Sequence, residues 1–316
     1  MGRRFESVWA HYNRMVRKFL KRILKGIFRR IYWKAQRIFH FFRISIVFLD
    51  PIDFKFLKIS TFTPVEDIRD VLTRLRPVNN GFNLERIGFN SDGGYLAPSD
   101  LIGIARCFSA GSDLNWNFEK DLENRYGIYS HIIDSADKKP LDLSPGHTFT
   151  PMWIGAKNSS FTVTLDDWVS KHTSNDGAEY LLQMDIEGFE WIALKNFNVD
   201  LLRKFRILII EFHNTGNLLN KRHFQGTFRP IIESLSSYFD PVHIHGNNCC
   251  GLVSFENFEF PQVFELTLHR KDRGKTSSDY TQLPHIYDQK NVGSIEDLKF
   301  EWPWSNVPTS KSRDWR

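Results

Sequence analysis

The sequence predicts an α/β fold in which helices cover both faces of a largely parallel sheet. The first observation is composition, since 316 residues that are 41% hydrophobic and 15% aromatic can form a substantial buried core. The second is that short apolar stretches ending in small or polar residues alternate, from residue 62 onwards, with segments of helical periodicity. Strands that alternate with helices form parallel sheets covered on both faces.

Local patterns justify the elements in chain order. A helix is predicted where Pro64 precedes apolar residues at helical spacing, among them Val65, Ile68 and Leu72. Further helices are predicted in NWNFEKDLENRYG, LDDWVSKHT, FEWIALKNFNVDLLRKF and RPIIESLSSYF. The predicted strands lie in GIARCFSAGSD, GIYSHIIDSAD, HTFTPMWIGAKN, YLLQMDIEG, FRILIIEFHN, DPVHIHGNN and QVFELTLHRK.

The positive charge of the chain is concentrated near its N-terminus. Residues 1–44 contain thirteen Lys and Arg residues against one acid, Glu6. Apolar residues recur there at steps of three or four, which predicts a basic amphipathic helix in front of the α/β domain. We expect residues 14–44 to bind an anionic membrane surface and to hold a peripheral protein at its cytoplasmic face. The alternatives are a mitochondrial targeting segment and a helix packed on the protein's own body, and nucleic-acid binding is not expected.

Cysteine content favours a reducing compartment. The chain has three cysteines, of which Cys249 and Cys250 are adjacent. This number is too small for the disulfide framework of a small secreted domain.

Acids and small residues follow the predicted strands at the points where the strands end. Ligands of open parallel sheets bind beyond the carboxyl ends of the strands, so these residues are expected to meet along one edge. The small-residue turn that contains Gly111 allows backbone to approach a ligand, and Asp134 ends the next apolar stretch, where an acid accepts hydrogen bonds from ribose hydroxyls. The full set is Ser109–Asp113, Asp134, Trp153–Ala156, Asp185, Glu187, Glu211, His213 and residues 243–248.

Five blocks of the sequence resemble those of the FkbM-like methyltransferases, the S-adenosylmethionine-dependent enzymes related to methyltransferase family 21. In order, they are RIGFNSDGGYLAP, CFSAGSDLNWNFEKDL, LLQMDIEGFEWIALKNF, ILIIEFH, and HIHGNN followed by FELTLHR. The resemblance implies a Rossmann-like class I methyltransferase sheet of seven mostly parallel strands, of which the last runs antiparallel. It implies that S-adenosylmethionine is bound by Ser109, Ala110, Gly111, Ser112, Asp113, Asp134, Ile154 and Gly155.

The resemblance and the composition together divide the chain into three regions. Residues 1–60 are the basic helical arm and a linker, residues 61–272 the methyltransferase-like domain, and residues 273–316 a polar C-terminal extension. The extension either wraps over the domain or closes on the acceptor. Glu119 is expected to help shape the donor pocket, and Asp92–Tyr95 to form a loop leading into it.

Methyl transfer to an alcohol requires a group that removes the hydroxyl proton. We expect Asp185 to act at this step, with His213 and His245 as further catalytic candidates. A divalent metal bound by Asp185 and Glu211, with Glu187 and His213 as additional ligands, is the alternative way to lower the hydroxyl pKa. His243 and His245 are expected to face opposite sides of their strand.

The sequence thus predicts O-methylation of a small-molecule or glycan acceptor, such as a carbohydrate or secondary metabolite. Two other functions remain open. A domain without catalysis would serve as a membrane-associated scaffold, and strand-end acids also suit an enzyme that uses a sugar nucleotide.

Overall fold

The computed structural model describes residues 44–48, 57–112, 115–135, 142–174, 176–195, 197–256, 258–275, 277 and 281–298. The predicted basic helix lies outside the described residues except for Ile44. The chain forms two compact units, one of residues 1–62 with 220–222 and the other of residues 63–219 with 223–316.

In the first unit, β1 (Ile44–Phe48) pairs antiparallel with β2 (Leu57–Thr61). The segment interpreted as a linker therefore contains a strand. Phe62 forms an isolated antiparallel bridge with Asn220.

The second unit contains the other strands and almost all of the described helices. The strands are β3 (Leu84–Gly88), β4 (Gly94–Pro98), β5 (Arg106–Ala110), β6 (Ser130–Ile133), β7 (Thr148–Thr150), β8 (Trp153–Ile154), β9 (Thr162–Val163), β10 (Tyr180–Met184), β11 (Phe205–Phe212), β12 (Phe239–Gly246), β13 (Leu252–Phe255), β14 (Phe258–Pro261) and β15 (Phe264–Arg270). The α-helices of the chain are α1 (Val65–Thr73), α2 (Asn117–Tyr126), α3 (Leu165–His172), α4 (Glu190–Lys195), α5 (Val199–Leu202), α6 (Lys221–His223) and α7 (Arg229–Tyr238), with a 3₁₀-helix at Thr215–Leu219 and a π-helical turn at Phe224–Phe228.

A seven-stranded sheet with the order β12-β15-β11-β10-β5-β6-β7 organises the second unit. The pairs β10–β11, β5–β10, β5–β6 and β6–β7 are parallel, whereas β15 is antiparallel to both β11 and β12. The α/β prediction is confirmed, and each of the seven predicted apolar stretches contains one of these strands. The sheet is mixed rather than all parallel because β15 reverses direction.

Adjacent side chains of β5 show that helices lie on both faces of the sheet. Cys107 belongs to a buried cluster with Phe118 and Leu122 of α2. Phe108 packs instead against Trp168 of α3, with 5.2 Å between ring centroids. Because successive side chains of a strand point to opposite faces, α2 and α3 cover opposite sides of the sheet.

The helix predicted over FEWIALKNFNVDLLRKF is two short helices, α4 and α5. Asn198 has extended backbone at φ −62° and ψ 126°, and its side chain accepts hydrogen bonds from the amides of Asp200 and Leu201. An Asn that caps a new helix in this way ends the continuous pattern. No helix among the described parts of the chain is long and apolar enough to cross a bilayer.

Candidate functional site at the carboxyl ends of the parallel strands

Gly111 joins the end of β5 to the end of β10. Its backbone lies in the left-handed region at φ +77°, and a Cβ built on it would lie 1.8 Å from the carbonyl oxygen of Asp185. The amide of Gly111 donates to Ile133 O at 3.0 Å, and that of Asp185 donates to Ala110 O at 2.9 Å. Only glycine fits this conformation and this close approach. The predicted turn therefore lies between the ends of β6 and β10.

Asp134 binds the residue that follows Gly111. Its Oδ2 accepts hydrogen bonds from the backbone amide of Ser112 at 2.9 Å and from Ser112 Oγ at 3.0 Å. Asp134 and the glycine turn, which sequence reasoning placed in one donor site, are thus in contact. Asp113 lies outside the described residues.

A buried polar cluster lies beneath the glycine turn. Ser109 Oγ is hydrogen-bonded to Glu119 Oε1 and lies 3.0 Å from Gln183 Oε1. Burial raises the pKa of Glu119 to about 7. Since one hydroxyl carries one proton and both neighbours are acceptors, a protonated Glu119 supplies the second hydrogen bond. Glu119 Oε2 is buried and has no hydrogen-bond partner among the described residues.

Three side chains gather where β10 and β11 end. Asp185, Glu211 and His213 each offer a ligand atom, and these atoms all lie within 4.8 Å of one another. His213 Nε2 is 3.8 Å from Asp185 Oδ1 and 3.9 Å from Glu211 Oε1. The Asp185 side chain is 29% exposed and that of Glu211 only 3%, so Asp185 is the more accessible acid. We call this group the acid–histidine cluster.

Tyr95 of β4 and Asn247, which directly follows β12, support the acid–histidine cluster. The Tyr95 hydroxyl lies 3.3 Å from Asp185 Oδ2 and 3.4 Å from Glu211 Oε2, and Asn247 Nδ2 donates to Glu211 Oε1 at 2.8 Å. Tyr95 was expected in a loop, but it is buried in β4. Its position in the DGGY block was the only sequence signal for this role.

Burial and mutual repulsion favour the protonated, uncharged forms of the two acids of the cluster. Burial, together with the carboxylates of Glu190 and Glu187, raises the pKa of Asp185 to about 7, although His213 opposes this shift. Burial and the neighbouring Asp185 also raise the pKa of Glu211 well above its usual range. Burial alone would lower the pKa of His213, but its hydrogen bond to Glu190 and the acids around it raise the pKa to about 10. A cationic imidazole therefore lies beside carboxyls that compete for protons.

Glu190 and Glu187 differ in burial and in contacts although they are close in sequence. Glu190 is buried, and its Oε1 accepts from the amides of Ile186 and Gly188 at 3.0 and 3.1 Å and lies 3.2 Å from His213 Nδ1. It fixes the turn before α4 and orients His213. Glu187 is exposed and lies outside the acid–histidine cluster, so the structure does not bring it together with Asp185, and its role as a metal ligand stays a prediction.

His243 and His245 lie on the same face of β12, which corrects the expectation that they point to opposite faces. Their rings are 6.5 Å apart and stacked. Residues i and i+2 of a strand share a face. His245 lies 3.5 Å from Glu265 and 3.4 Å from Asp297, whereas His243 Nε2 is 2.8 Å from Asp288. These contacts pair both histidines with acids outside the acid–histidine cluster.

Residues 281–298, the C-terminal segment, bind along the same edge. Asn248 Nδ2 donates to the carbonyls of Val292 and Ile295 at 3.0 Å each, and Asn248 Oδ1 accepts from the amide of Val292 at 2.8 Å. Asn291 Nδ2 donates to Asp92 Oδ1 at 2.9 Å and to Glu265 Oε1 at 2.8 Å. The C-terminal segment thus wraps over the domain beside the acid–histidine cluster.

Ile154 and Gly155, which the resemblance places near the adenine of S-adenosylmethionine, lie in or directly after a separate small sheet. Ile154 is buried in β8, which pairs with β9, and the amide of Gly155 donates to Val163 O at 2.9 Å. These contacts run towards β9 rather than towards Gly111. Their role in binding adenine stays a prediction.

The seven-stranded mixed sheet with helices on both faces makes this an α/β protein, and in open sheets of this class ligands bind beyond the carboxyl ends of the parallel strands. Residues 123–238 match the family model described as Methyltransferase FkbM domain. This match confirms the resemblance over that segment and supports a methyltransferase-family function. No curated protein matches the chain.

Proposed function

We propose that the protein is an S-adenosylmethionine-dependent O-methyltransferase of class I architecture. The observation that carries the proposal is the meeting of the Gly111 turn, Asp134 and Asp185 at one edge of the sheet. The family match and the strand order, with β15 antiparallel between β11 and β12, support the same conclusion.

The residues at the glycine turn fit this donor. S-adenosylmethionine supplies an electrophilic methyl group on a sulfonium. Asp134 and Ser112 offer oxygen atoms for hydroxyl groups, and Glu119 Oε2 is an acceptor without a hydrogen-bond partner in the described part of the chain. We assign ribose binding to Asp134 and the methionine portion to residues 109–113.

The charge of the edge favours a cationic donor over a sugar nucleotide. Asp134, Asp185 and Glu211 are acids, and His213 is the cationic group among them. As the pH rises above about 7, Asp185 becomes anionic and would repel a diphosphate unless a metal ion intervened, whereas it would attract a sulfonium.

Asp185 is the group we assign to proton removal from the acceptor hydroxyl. It is the more exposed acid of the cluster, and its backbone contacts the Gly111 turn. Tyr95 and His213 hold the neighbouring carboxyls in place, so that an acceptor oxygen is oriented toward the donor and its proton toward Asp185. We do not assign this step to His245, because its two ring nitrogens are paired with Glu265 and Asp297.

A divalent cation is the second way in which the same side chains can act. Asp185, Glu211 and His213 form a mixed oxygen and nitrogen set with the spacing of a metal site. A bound ion would neutralise the repulsion between the two acids and lower the pKa of the acceptor hydroxyl. Addition of Mn²⁺ with and without chelator, followed by thermal unfolding, tests this variant. An unchanged midpoint argues for the metal-free route.

The experiment that tests the function compares three single variants. Asp134→Ala should weaken binding of S-adenosylhomocysteine in calorimetry, whereas Asp185→Asn should abolish transfer of labelled methyl to a panel of sugars, glycans and polyketide alcohols with little effect on product binding. Glu66→Gln is the control, because it removes an exposed acid of α1 that lies outside the acid–histidine cluster. Equal activity of Asp185→Asn and the control removes the catalytic assignment. Absence of product binding by the unaltered protein favours the scaffold.

We further propose that residues 14–44 hold the protein at an anionic membrane surface on its cytoplasmic side, with a mitochondrial address as the alternative. The concentration of Lys and Arg opposite apolar positions supports this. Cosedimentation with vesicles that contain phosphatidylserine should be lost when residues 1–43 are deleted, and vesicles of phosphatidylcholine alone should not bind. Equal binding to both vesicles contradicts the proposal. Membrane-bound glycans are acceptors that such an enzyme would meet.

A further inference from the structure

The turn after β12 contains a disulfide between adjacent residues. Cys249 and Cys250 are bonded to each other, and both are exposed. The third cysteine, Cys107, is buried in the core as a free thiol. Exposure allows thiol–disulfide exchange at the adjacent pair, and burial prevents it at Cys107.

Two buried asparagines connect this pair to the rest of the edge. The backbone amide of Cys249 donates to Asn247 Oδ1 at 2.9 Å, and Asn247 Nδ2 donates to Glu211 Oε1 at 2.8 Å. One amide side chain therefore links the cysteine backbone to a carboxyl of the acid–histidine cluster. The neighbouring Asn248 holds the C-terminal segment through three hydrogen bonds.

The turn is fixed on both sides of the cysteines. The amide of Asn247 donates to Val263 O at 3.0 Å, and the amide of Gln262 donates to Gly251 O at 2.9 Å. Opening or closing the disulfide therefore changes only the short backbone between these anchors. The hydrogen bond between the Cys249 amide and Asn247 lies within this stretch and is affected first.

We propose that Cys249 and Cys250 form a reversible dithiol–disulfide modification site whose state is transmitted through Asn247 to Glu211. The co-reactant is a small thiol or its disulfide, of the glutathione class. In the oxidising direction, one cysteine thiolate attacks the small disulfide and releases one small thiol. The second cysteine thiolate then displaces the other, so that two protein thiols are oxidised and one small disulfide is reduced to two thiols.

Opening of the disulfide removes the ring that constrains the peptide between the two cysteines. The Cys249 amide then moves relative to Asn247 Oδ1, and the Asn247 side chain loses part of its support against Glu211. Because the anchors at Val263 and Gly251 remain, the change is confined to this turn. Its effect on methyl transfer rests on the proposed function, but the exchange chemistry does not.

The test uses the full chain treated with dithiothreitol or with oxidised glutathione. Titration of the native protein with Ellman's reagent should find two reactive thiols after reduction and none after oxidation, while Cys107 stays silent in both. Hydrogen exchange at the amides of Asn247 and Cys249 should be several-fold faster in the reduced form. Cys107→Ser is the matched control and should keep both responses.

Cys250→Ser isolates the role of the ring. This variant cannot close the disulfide, so its amide exchange should equal that of the reduced protein whatever the treatment. Two reactive thiols after treatment of the unaltered chain with oxidised glutathione, or equal exchange in the two forms, overturns the proposal. If neither form transfers methyl groups while the thiol and exchange responses appear, the proposed enzyme function fails and the modification site stands.

Discussion

Gly111→Ala tests the contact that brings the proposed donor and acceptor regions together. Alanine in the left-handed region at φ +77° costs about 1–2 kcal/mol. Its Cβ would lie 1.8 Å from Asp185 O, so the two must separate by roughly 1.6 Å to reach an ordinary contact of 3.4 Å. Overpacking of this kind costs about 1–3 kcal/mol, and the Asp185–Ala110 hydrogen bond beside it contributes about 1 kcal/mol. We expect a loss of about 3–6 kcal/mol of unfolding free energy.

Gly127→Ala is the control for this substitution. Gly127 ends α2 with φ +68°, but a Cβ there would meet nothing within 4 Å. The control should therefore lose only about 1–2 kcal/mol, the conformational part of the penalty. Urea unfolding followed by tryptophan fluorescence measures both variants. Equal losses would show that β5 and the end of β10 do not approach as described and would refute the reasoning.

Three further substitutions test the core, the charge network and the C-terminal segment. The raised pKa of Glu119 makes the unaltered fold lose stability as the pH rises from about 4.5 to about 7, because the buried carboxyl must then lose its proton. The Glu119→Gln variant should therefore match the unaltered protein in unfolding free energy below pH 4.5. At pH 7 and above it should be more stable by up to about 3 kcal/mol. Denaturant unfolding across this pH range measures the difference. If the unfolding free energies of the two proteins stay equally far apart at every pH, the carboxyl of Glu119 is not protonated in the fold. Arg206→Met should cost about 2–3 kcal/mol, measured in the same assay, since it leaves Asp100 and Glu179 with only their other cationic partners. Asn248→Ala removes three hydrogen bonds to the C-terminal segment, which should destabilise its attachment by about 2–3 kcal/mol. Limited proteolysis should then cut this segment much faster. An unchanged rate of cleavage would show that other contacts hold the segment.

The strands of the large sheet were readable from sequence because most are buried on both faces. All five residues of β10 and all eight of β11 are buried, which produces mainly apolar runs that stop at Asp185 and His213. The carboxyl ends of such strands are the positions that sequence reasoning selected. This is why it named Asp134, Asp185, Glu211 and His213 correctly as neighbours of one edge.

Short elements and face assignments were less predictable. The single helix predicted after Gly188 is divided at Asn198 in the structure. The Asn198 side chain caps a new helix there, although the residues around it are compatible with one continuous helix. The segment after Pro51 was interpreted as linker, yet it contains β2, since pairing with β1 supplies hydrogen bonds that local composition does not reveal.

The sequence by itself determined which residues end the strands, and with them the α/β class and the acids available for chemistry. Only the tertiary structure decided that Tyr95 meets Asp185, that Glu190 holds His213, and that Asn247 joins Cys249 to Glu211. The physical reason is that local periodicity reports burial along one element, whereas these contacts depend on strand order. The placement of β15 between β11 and β12 is a property of the whole sheet, and no stretch of residues encodes it alone.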